Sequence, residues 1–204
     1  GIGAAEHHME SAEAIYAHTP GIKVVAVSNP RDAKGLLLAA IDDPDPVIFL
    51  EPIRIYRAVK GEVPDEPYRV PLGVAAIERE GTDVTMIAYG AMMREVRAAA
   101  DELAGVGISA EVIDLRTLDP IDGEAIVDSV RATGRAVVVQ EAHRTAGLAA
   151  EIIAQIQEKA LYSLLAPVER VTGWDTVVPL RRAEHHYVPT VARITAAARR
   201  TMEG

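Results

Sequence analysis

Short segments rich in aliphatic residues alternate along this chain with longer segments of helical spacing, and this alternation limits the fold more than any other feature. The runs at 22–28, 47–50, 83–89, 110–113, 135–139 and 168–172 predict strands. The segments at 32–41, 95–103, 122–133, 148–160 and 190–202 predict helices, the last of them rich in Ala and Arg. Asn29-Pro30 suits the first turn of a helix, and Asp42-Asp43-Pro44-Asp45-Pro46 stops it, because proline donates no hydrogen bond and disfavours helix before it. The run Val47-Ile48-Phe49-Leu50 lacks polar alternation, the pattern of a strand covered on both faces. Strands joined by helical crossovers predict an α/β fold, with a doubly wound sheet in the second half and a functional crevice at the carboxyl ends of its strands.

Composition sharpens this reading. A hydrophobic share of 49% supports a buried core, and with one Trp and one Phe that core falls to Ala, Val, Ile and Leu. Thirty acidic against 21 basic residues give a net charge of −9, the wrong sign for a nucleic-acid partner. The absence of cysteine removes disulfides, thiolate metal sites and thiol nucleophiles, and fits a reducing cytoplasm. No apolar run approaches the ~18 residues of a membrane helix, so no membrane partner is expected. Gly1-Ile2-Gly3 is neither a signal peptide nor a natural initiator, so the chain is expected to begin partway through a longer protein. The polar stretch 57–71, with Pro64, Pro67 and Pro71, predicts an extended linker. It divides the chain into units at 1–56 and 72–204.

Signatures for P-loops, nucleophile elbows and H-E-x-x-H zinc sites are absent. Histidine stands out instead, as Glu6-His7-His8, His18, His143 and Glu184-His185-His186. The triplets invite a metal site, but neighbouring side chains on an extended segment face opposite ways, so each offers one ligand and the termini would have to meet. A loop histidine is otherwise a polar surface residue or, with its near-neutral pKa, a proton donor.

The stretch His8-Met9-Glu10-Ser11-Ala12-Glu13-Ala14-Ile15-Tyr16-Ala17-His18-Thr19-Pro20-Gly21-Ile22-Lys23-Val24-Val25 resembles the H-S-Q-S-x-E-A-x-x-A-H-x-P-G-[LI]-K-V-V signature of one family. Val112-Ile113-Asp114-Leu115-Arg116-Thr117-Leu118-Asp119-Pro120 is similar to its V-I-D-L-R-[TS]-L-x-P. Asp45-Pro46-Val47-Ile48-Phe49-Leu50-Glu51, Glu141-Ala142 and Gly173-Trp174-Asp175-Thr176 also match in order. The family is the beta subunit of the thiamine-diphosphate-dependent component of 2-oxoacid dehydrogenase complexes, and the resemblance covers nearly the whole chain.

That resemblance implies a partial transketolase-like pyrimidine-binding domain followed by a doubly wound transketolase C-terminal-type domain. It implies oxidative decarboxylation of pyruvate or a branched-chain 2-oxo acid, with acyl transfer to lipoyl groups. Thiamine diphosphate would be shared with an alpha subunit that also holds magnesium, and the main contact to the aminopyrimidine would lie in an N-terminal portion that this sequence lacks, so the isolated fragment is expected to be inactive. The implied partners are that alpha subunit, a second beta subunit to complete a heterotetramer, and the dihydrolipoyl acyltransferase core.

His8 falls on the family's active-site histidine, with His7 as runner-up because the doublet leaves the alignment open by one residue. Tyr16 and His18 read as packing or hydrogen-bonded structural residues. A potassium ion is implied at main-chain oxygens around Ala40, Asp43 and Asp45. Met9 and Glu10 depart from the family's usual Ser and Gln. Two alternatives stand beside the enzyme subunit: a non-catalytic assembly and docking module, and another transketolase-fold thiamine diphosphate enzyme such as a deoxyxylulose-phosphate synthase.

Overall fold

The computed structural model describes residues 2–4 and 6–203. After a 3-10 turn at Glu6–Met9 come α1 (Glu13–Ala17), β1 (Lys23–Ala26), α2 (Pro30–Asp42), β2 (Val47–Leu50) and a second 3-10 turn at Ile53–Ile55. An irregular stretch leads to β3 (Ala76–Arg79), β4 (Val84–Ala88), α3 (Met92–Ala104), β5 (Ala110–Asp114), β6 (Thr117–Asp119) and α4 (Gly123–Thr133). The chain ends with β7 (Ala136–His143), α5 (Leu148–Ala160), β8 (Glu169–Gly173), α6 (Glu184–Tyr187) and α7 (Val191–Glu203). Among the described residues no helix is long and apolar enough to cross a membrane.

Two sheets result, ordered β2-β1-β6 and β3-β5-β4-β7-β8. In the larger one β5, β4, β7 and β8 run parallel and β3 is an antiparallel edge. Period-two alternation divides its side chains between two cores. Val84, Met86, Ala88, Val112, Val137 and Val139 pack with α3 and α7 on one face. Ile87, Ile113, Ala136 and Val138 pack with α4 and α5 on the other, and this second core also takes in Val24 and Ala26 of β1. The sheet is therefore doubly wound, and its second core is shared with the smaller sheet. Each fully buried Val or Ile contributes about 1.5–3 kcal/mol relative to exposure.

In the smaller sheet β2 is the outer strand, and its side chains alternate between two cores: Ile48 and Leu50 pack on the core shared with the larger sheet, Val47 and Phe49 on Val25, Val27 and Leu36, each part-buried. Residues 57–71 form no regular element and lie back on α2. Val70 N–H donates to the Gly35 carbonyl at 3.1 Å, and Tyr68 Oη donates to the Arg31 carbonyl at 2.5 Å. Gly35 makes that approach possible, since a Cβ there would stand 2.6 Å from Val70 and 2.7 Å from Tyr68.

Between the sheets lies a polar seam. β5 ends at Asp114, which is fully buried. Ser28 Oγ, just past β1, donates to Asp114 Oδ2, and Arg116 N–H donates to Oδ1 at 3.1 Å. Arg97 Nη2 reaches Ser28 Oγ at 3.2 Å while its guanidinium forks onto Glu78. Arg116 has φ +58°, a left-handed conformation uncommon outside glycine, and its guanidinium pairs with Asp32 at 2.9 and 3.1 Å. The left-handed residue turns the chain out of the large sheet and into β6, which pairs antiparallel with β1.

Burial pushes the Asp114 carboxyl from 3.8 up to about 7; Ser28, the Arg116 amide and the Arg97 charge work against that rise, and Glu78 adds to it. The folded state thus keeps a proton that the unfolded chain releases at lower pH. Stability from this group is complete below pH 3.8 and is lost as pH rises toward 7. Urea midpoints of Asp114→Asn relative to the unaltered protein should accordingly improve from the lower to the upper end of that window, and an unchanged gap would refute the assignment.

Candidate functional site

Parallel strands deliver their carboxyl ends to one side of a sheet, and here both sheets deliver theirs to the same crevice. β4 leads by α3 to β5 on one side, whereas β7 leads by α5 to β8 on the other, so the β4–β7 boundary is a topological switch point. Tyr89 and Gly90 follow β4 there, and Glu141 lies near the end of β7. From the smaller sheet come Ala26, Leu50, Glu51 and Arg54, enclosing a cavity of about 240 Å³. Gly90, at φ +55°, lets the sheets close up: a Cβ would meet Pro52 at 3.3 Å.

His8 lines this crevice. It sits on the 3-10 turn rather than on an extended segment, with the Glu10 amide closing the turn onto the His7 carbonyl at 3.1 Å. Met9 is buried at 6% exposure and anchors the turn, leaving His7 and His8 at the surface with rings stacked 4.3 Å apart. Both Glu-His-His triplets adopt helical turns, and the chain ends do approach, since the Gly3 amide donates to Glu184 Oε2 at 2.8 Å. Among the described residues, however, no group of three or more His, Asp or Glu side chains is placed to hold a metal. Tyr16 and His18, expected as packing or hydrogen-bonded residues, lie exposed on the surface of α1 and its cap.

Beneath His8 the crevice contains groups the sequence reading passed over. Glu13 and Tyr89 are both buried, and Tyr89 Oη donates to Glu13 Oε1 at 2.8 Å. Burial pushes the Glu13 carboxyl up, with Glu141 adding to the rise and Tyr89 opposing it. Burial also pushes the Tyr89 hydroxyl well up, reinforced by the charge of Glu13, so it stays a neutral donor. Arg54 pairs with Glu95 at 2.6 Å, and Arg54 Nη1 and Glu95 Oε2 are buried without a hydrogen-bond partner. Glu13 and Glu141 stood within quoted motifs, and Tyr89 at the end of a predicted strand. Arg54 and Glu95 carried no local signal, since their pairing spans 41 residues of sequence.

The lining is acceptor-rich: Glu10, Glu13, Glu51 and Glu141 outnumber Arg54, the single lysine or arginine. Such a site suits a ring bearing N–H donors set against apolar walls from Met9, Leu50, Pro52 and Met92, and it repels phosphates.

At the end of α2, Lys23 Nζ lies 2.7 and 2.8 Å from the Asp43 carboxylate oxygens and 3.2 Å from Asp45 Oδ2. That ammonium holds the Asp43 carboxyl below its ordinary range and already occupies both side chains. The main-chain oxygens are differently placed. The Ala40 carbonyl falls in the last helical turn, where its i+4 partner would be Pro44, which has no N–H.

Comparison with known proteins adds a second line of evidence. The model of the transketolase C-terminal domain matches residues 73–194, and that of the transketolase pyrimidine-binding domain matches residues 1–58. Among curated proteins the chain is 52% identical over 200 residues to the pyruvate dehydrogenase E1 component subunit beta of Acholeplasma laidlawii, covering 98% of this chain and 61% of that one. It is 51% identical over 203 residues to the corresponding subunit of Bacillus subtilis (strain 168), covering 100% and 62%. The chain thus spans about three-fifths of the length of these relatives. A solved structure described as a split-gene transketolase, inactive beta4 tetramer, superposes with a TM-score of 0.77 at 25% identity, covering 94% of this chain and 60% of its own.

The buried Glu13–Tyr89 contact should register in a double-mutant cycle. Tyr89→Phe leaves a buried acceptor without its donor and should cost about 1–3 kcal/mol in urea unfolding. In a Glu13→Gln background the cost should shrink by a coupling of about 0.5–3 kcal/mol. Additive effects would mean that the contact contributes nothing of its own.

Proposed function

Because the chain belongs to the transketolase family, whose C-terminal domain accounts for residues 73–194, we propose that it serves as the beta subunit of a 2-oxoacid dehydrogenase. In that role it contributes to oxidative decarboxylation of pyruvate, or of a branched-chain 2-oxo acid, with acyl transfer to lipoyl groups. The observation that carries this reading is the crevice at the joint carboxyl ends of both sheets, with His8 at its mouth. Identities of 51–52% to two pyruvate dehydrogenase beta subunits support it.

The charge of the crevice supports a reading in which this chain receives the aminopyrimidine end of thiamine diphosphate. Its carboxylates suit that donor-bearing end and disfavour a diphosphate, in keeping with diphosphate and magnesium being held by an alpha subunit. When bound, the cofactor supplies the electron sink that decarboxylation needs. This chain's part is to wall the ring with Leu50, Pro52 and Met92 and to exclude water beneath it with the buried Glu13–Tyr89 pair. His8 then holds an imidazole proton for the lipoyl sulfur that becomes a thiolate as the disulfide opens. The functional particle is a heterotetramer of two alpha and two beta subunits, docked on the acyltransferase core in the cytoplasm. A potassium ion near Ala40, Asp43 and Asp45 would rest on carbonyls such as that of Ala40, since Lys23 takes the carboxylates.

In the complete heterotetramer His8→Ala should lower acyl transfer to lipoyl groups by about 10²-fold or more, the scale of a lost general acid. Decarboxylation measured with an artificial oxidant should be much less affected, and His7→Ala should change neither greatly. Unchanged lipoyl transfer in His8→Ala would remove that residue from the role, and loss in His7→Ala instead would pass the role to its neighbour.

A further inference from the structure

The sequence leaves the arginines of the C-terminal helix open between a partner surface and a solvated face. In the structure Arg193 and Arg200 join Arg144 and Arg170 around a cavity of about 480 Å³, bounded by α7, by β8 and by the loop after β7. Two carboxylates also line it, and both are already engaged. Glu169 accepts from Arg200 at 3.2 and 2.8 Å, and Asp175 accepts from the Thr145 amide and hydroxyl, each at 2.8 Å. Arg193 is committed as well: it donates to the Thr172 carbonyl at 2.6 Å and stacks 4.5 Å over the Trp174 ring.

Arg144 and Arg170 are different. Neither forms an ion pair among the described residues, yet both line the same cavity. Burial lowers the pKa of Arg170, and the neighbouring charge of Arg144 lowers it further, with the charge of Asp175 working against them. Four arginines against the two carboxylates Glu169 and Asp175 leave the cavity with an excess of positive charge, in a molecule whose net charge is −9. Such a locally positive concavity concentrates anions. The occupant is compact rather than an added strand, because Arg193 already takes the carbonyl of Thr172 on the outer edge of β8.

We propose that this cavity is an oxyanion-binding site that takes the phosphoryl group of a small ligand, gripped by the Arg144 and Arg170 guanidiniums. Guanidinium matches phosphate oxygens in paired N–H···O geometry, and the exposed Trp174 ring alongside offers a surface for an organic group attached to the phosphate. The site is separate from the crevice holding His8 and stands whether or not the catalytic reading does.

Calorimetric titration of the full-length protein with inorganic phosphate, at fixed ionic strength in a chloride buffer, tests the assignment. Saturable binding is expected, weakened at least tenfold in both Arg170→Gln and Arg144→Gln, with Lys60→Gln unchanged as a control for net charge. Arg144 is exposed, so its variant gives a reading even where Arg170→Gln folds poorly. Phenyl phosphate provides the second arm: tighter binding than phosphate identifies an organic monoester as the source, and equal binding identifies the free ion. No saturable binding of either anion, affinity in the arginine variants equal to that of the unaltered protein, or an equal loss in Lys60→Gln would overturn the proposal.

Discussion

The structure turns on a carboxyl group with no access to water. Asp114 closes β5, accepts from Ser28 beside the other sheet and from the Arg116 amide, and so fixes where the two sheets meet. Two residues on, the left-handed Arg116 reverses the chain into β6 and pairs with Asp32 at the start of α2. One short sequence therefore ends a strand of one sheet, ties the seam and begins a strand of the other. A buried pair of this kind contributes little net stability, but losing one partner leaves a charge stranded, so the arrangement enforces one relative position of the sheets. The crevice exists because that position brings Ala26, Leu50, Tyr89 and Glu141 to a single opening.

Much of this was legible in the sequence wherever local preference and tertiary packing agree. The strand at 47–50 and the helix at 148–160 fall where apolar pattern and flanking breakers place them, because every residue of those patterns serves both levels. β3, β6, α1 and α6 were not legible: they are three to five residues long and owe their form to distant neighbours. β2 carries apolar cover on both faces, as its unbroken run implies, but each residue keeps part of its surface open because the strand stands at the edge of its sheet.

The site was legible in part. His8 announced itself as half of an unusual doublet within a long motif, and the structure sets it at the crevice mouth. The partnership of Glu13 with Tyr89 was not visible, because 76 residues separate the two and only burial makes them act on each other. The same holds for the arginine cavity, whose members come from three separate elements. Residue type is written locally, but the dielectric around a residue is a property of the whole fold. An acidic chain can thus present a carboxylate-rich crevice and an arginine-lined cavity with opposite ligand preferences.

The short strand β6 has a consequence for how the molecule comes apart. It belongs by sequence to the C-terminal half, yet it is hydrogen-bonded into the sheet of the N-terminal half, with Ala26 N–H reaching the Arg116 carbonyl at 2.8 Å and Val24 facing Asp119. Val24 and Ala26 in turn lie in the core beneath α4 and α5. A peptide-bond cut within 57–71 would therefore yield a nicked particle instead of two freed domains, its pieces held by a shared backbone ladder and a shared core. Heat and denaturant meet the same linkage: the halves should melt together in one cooperative transition, because neither sheet can open without exposing the other's interior.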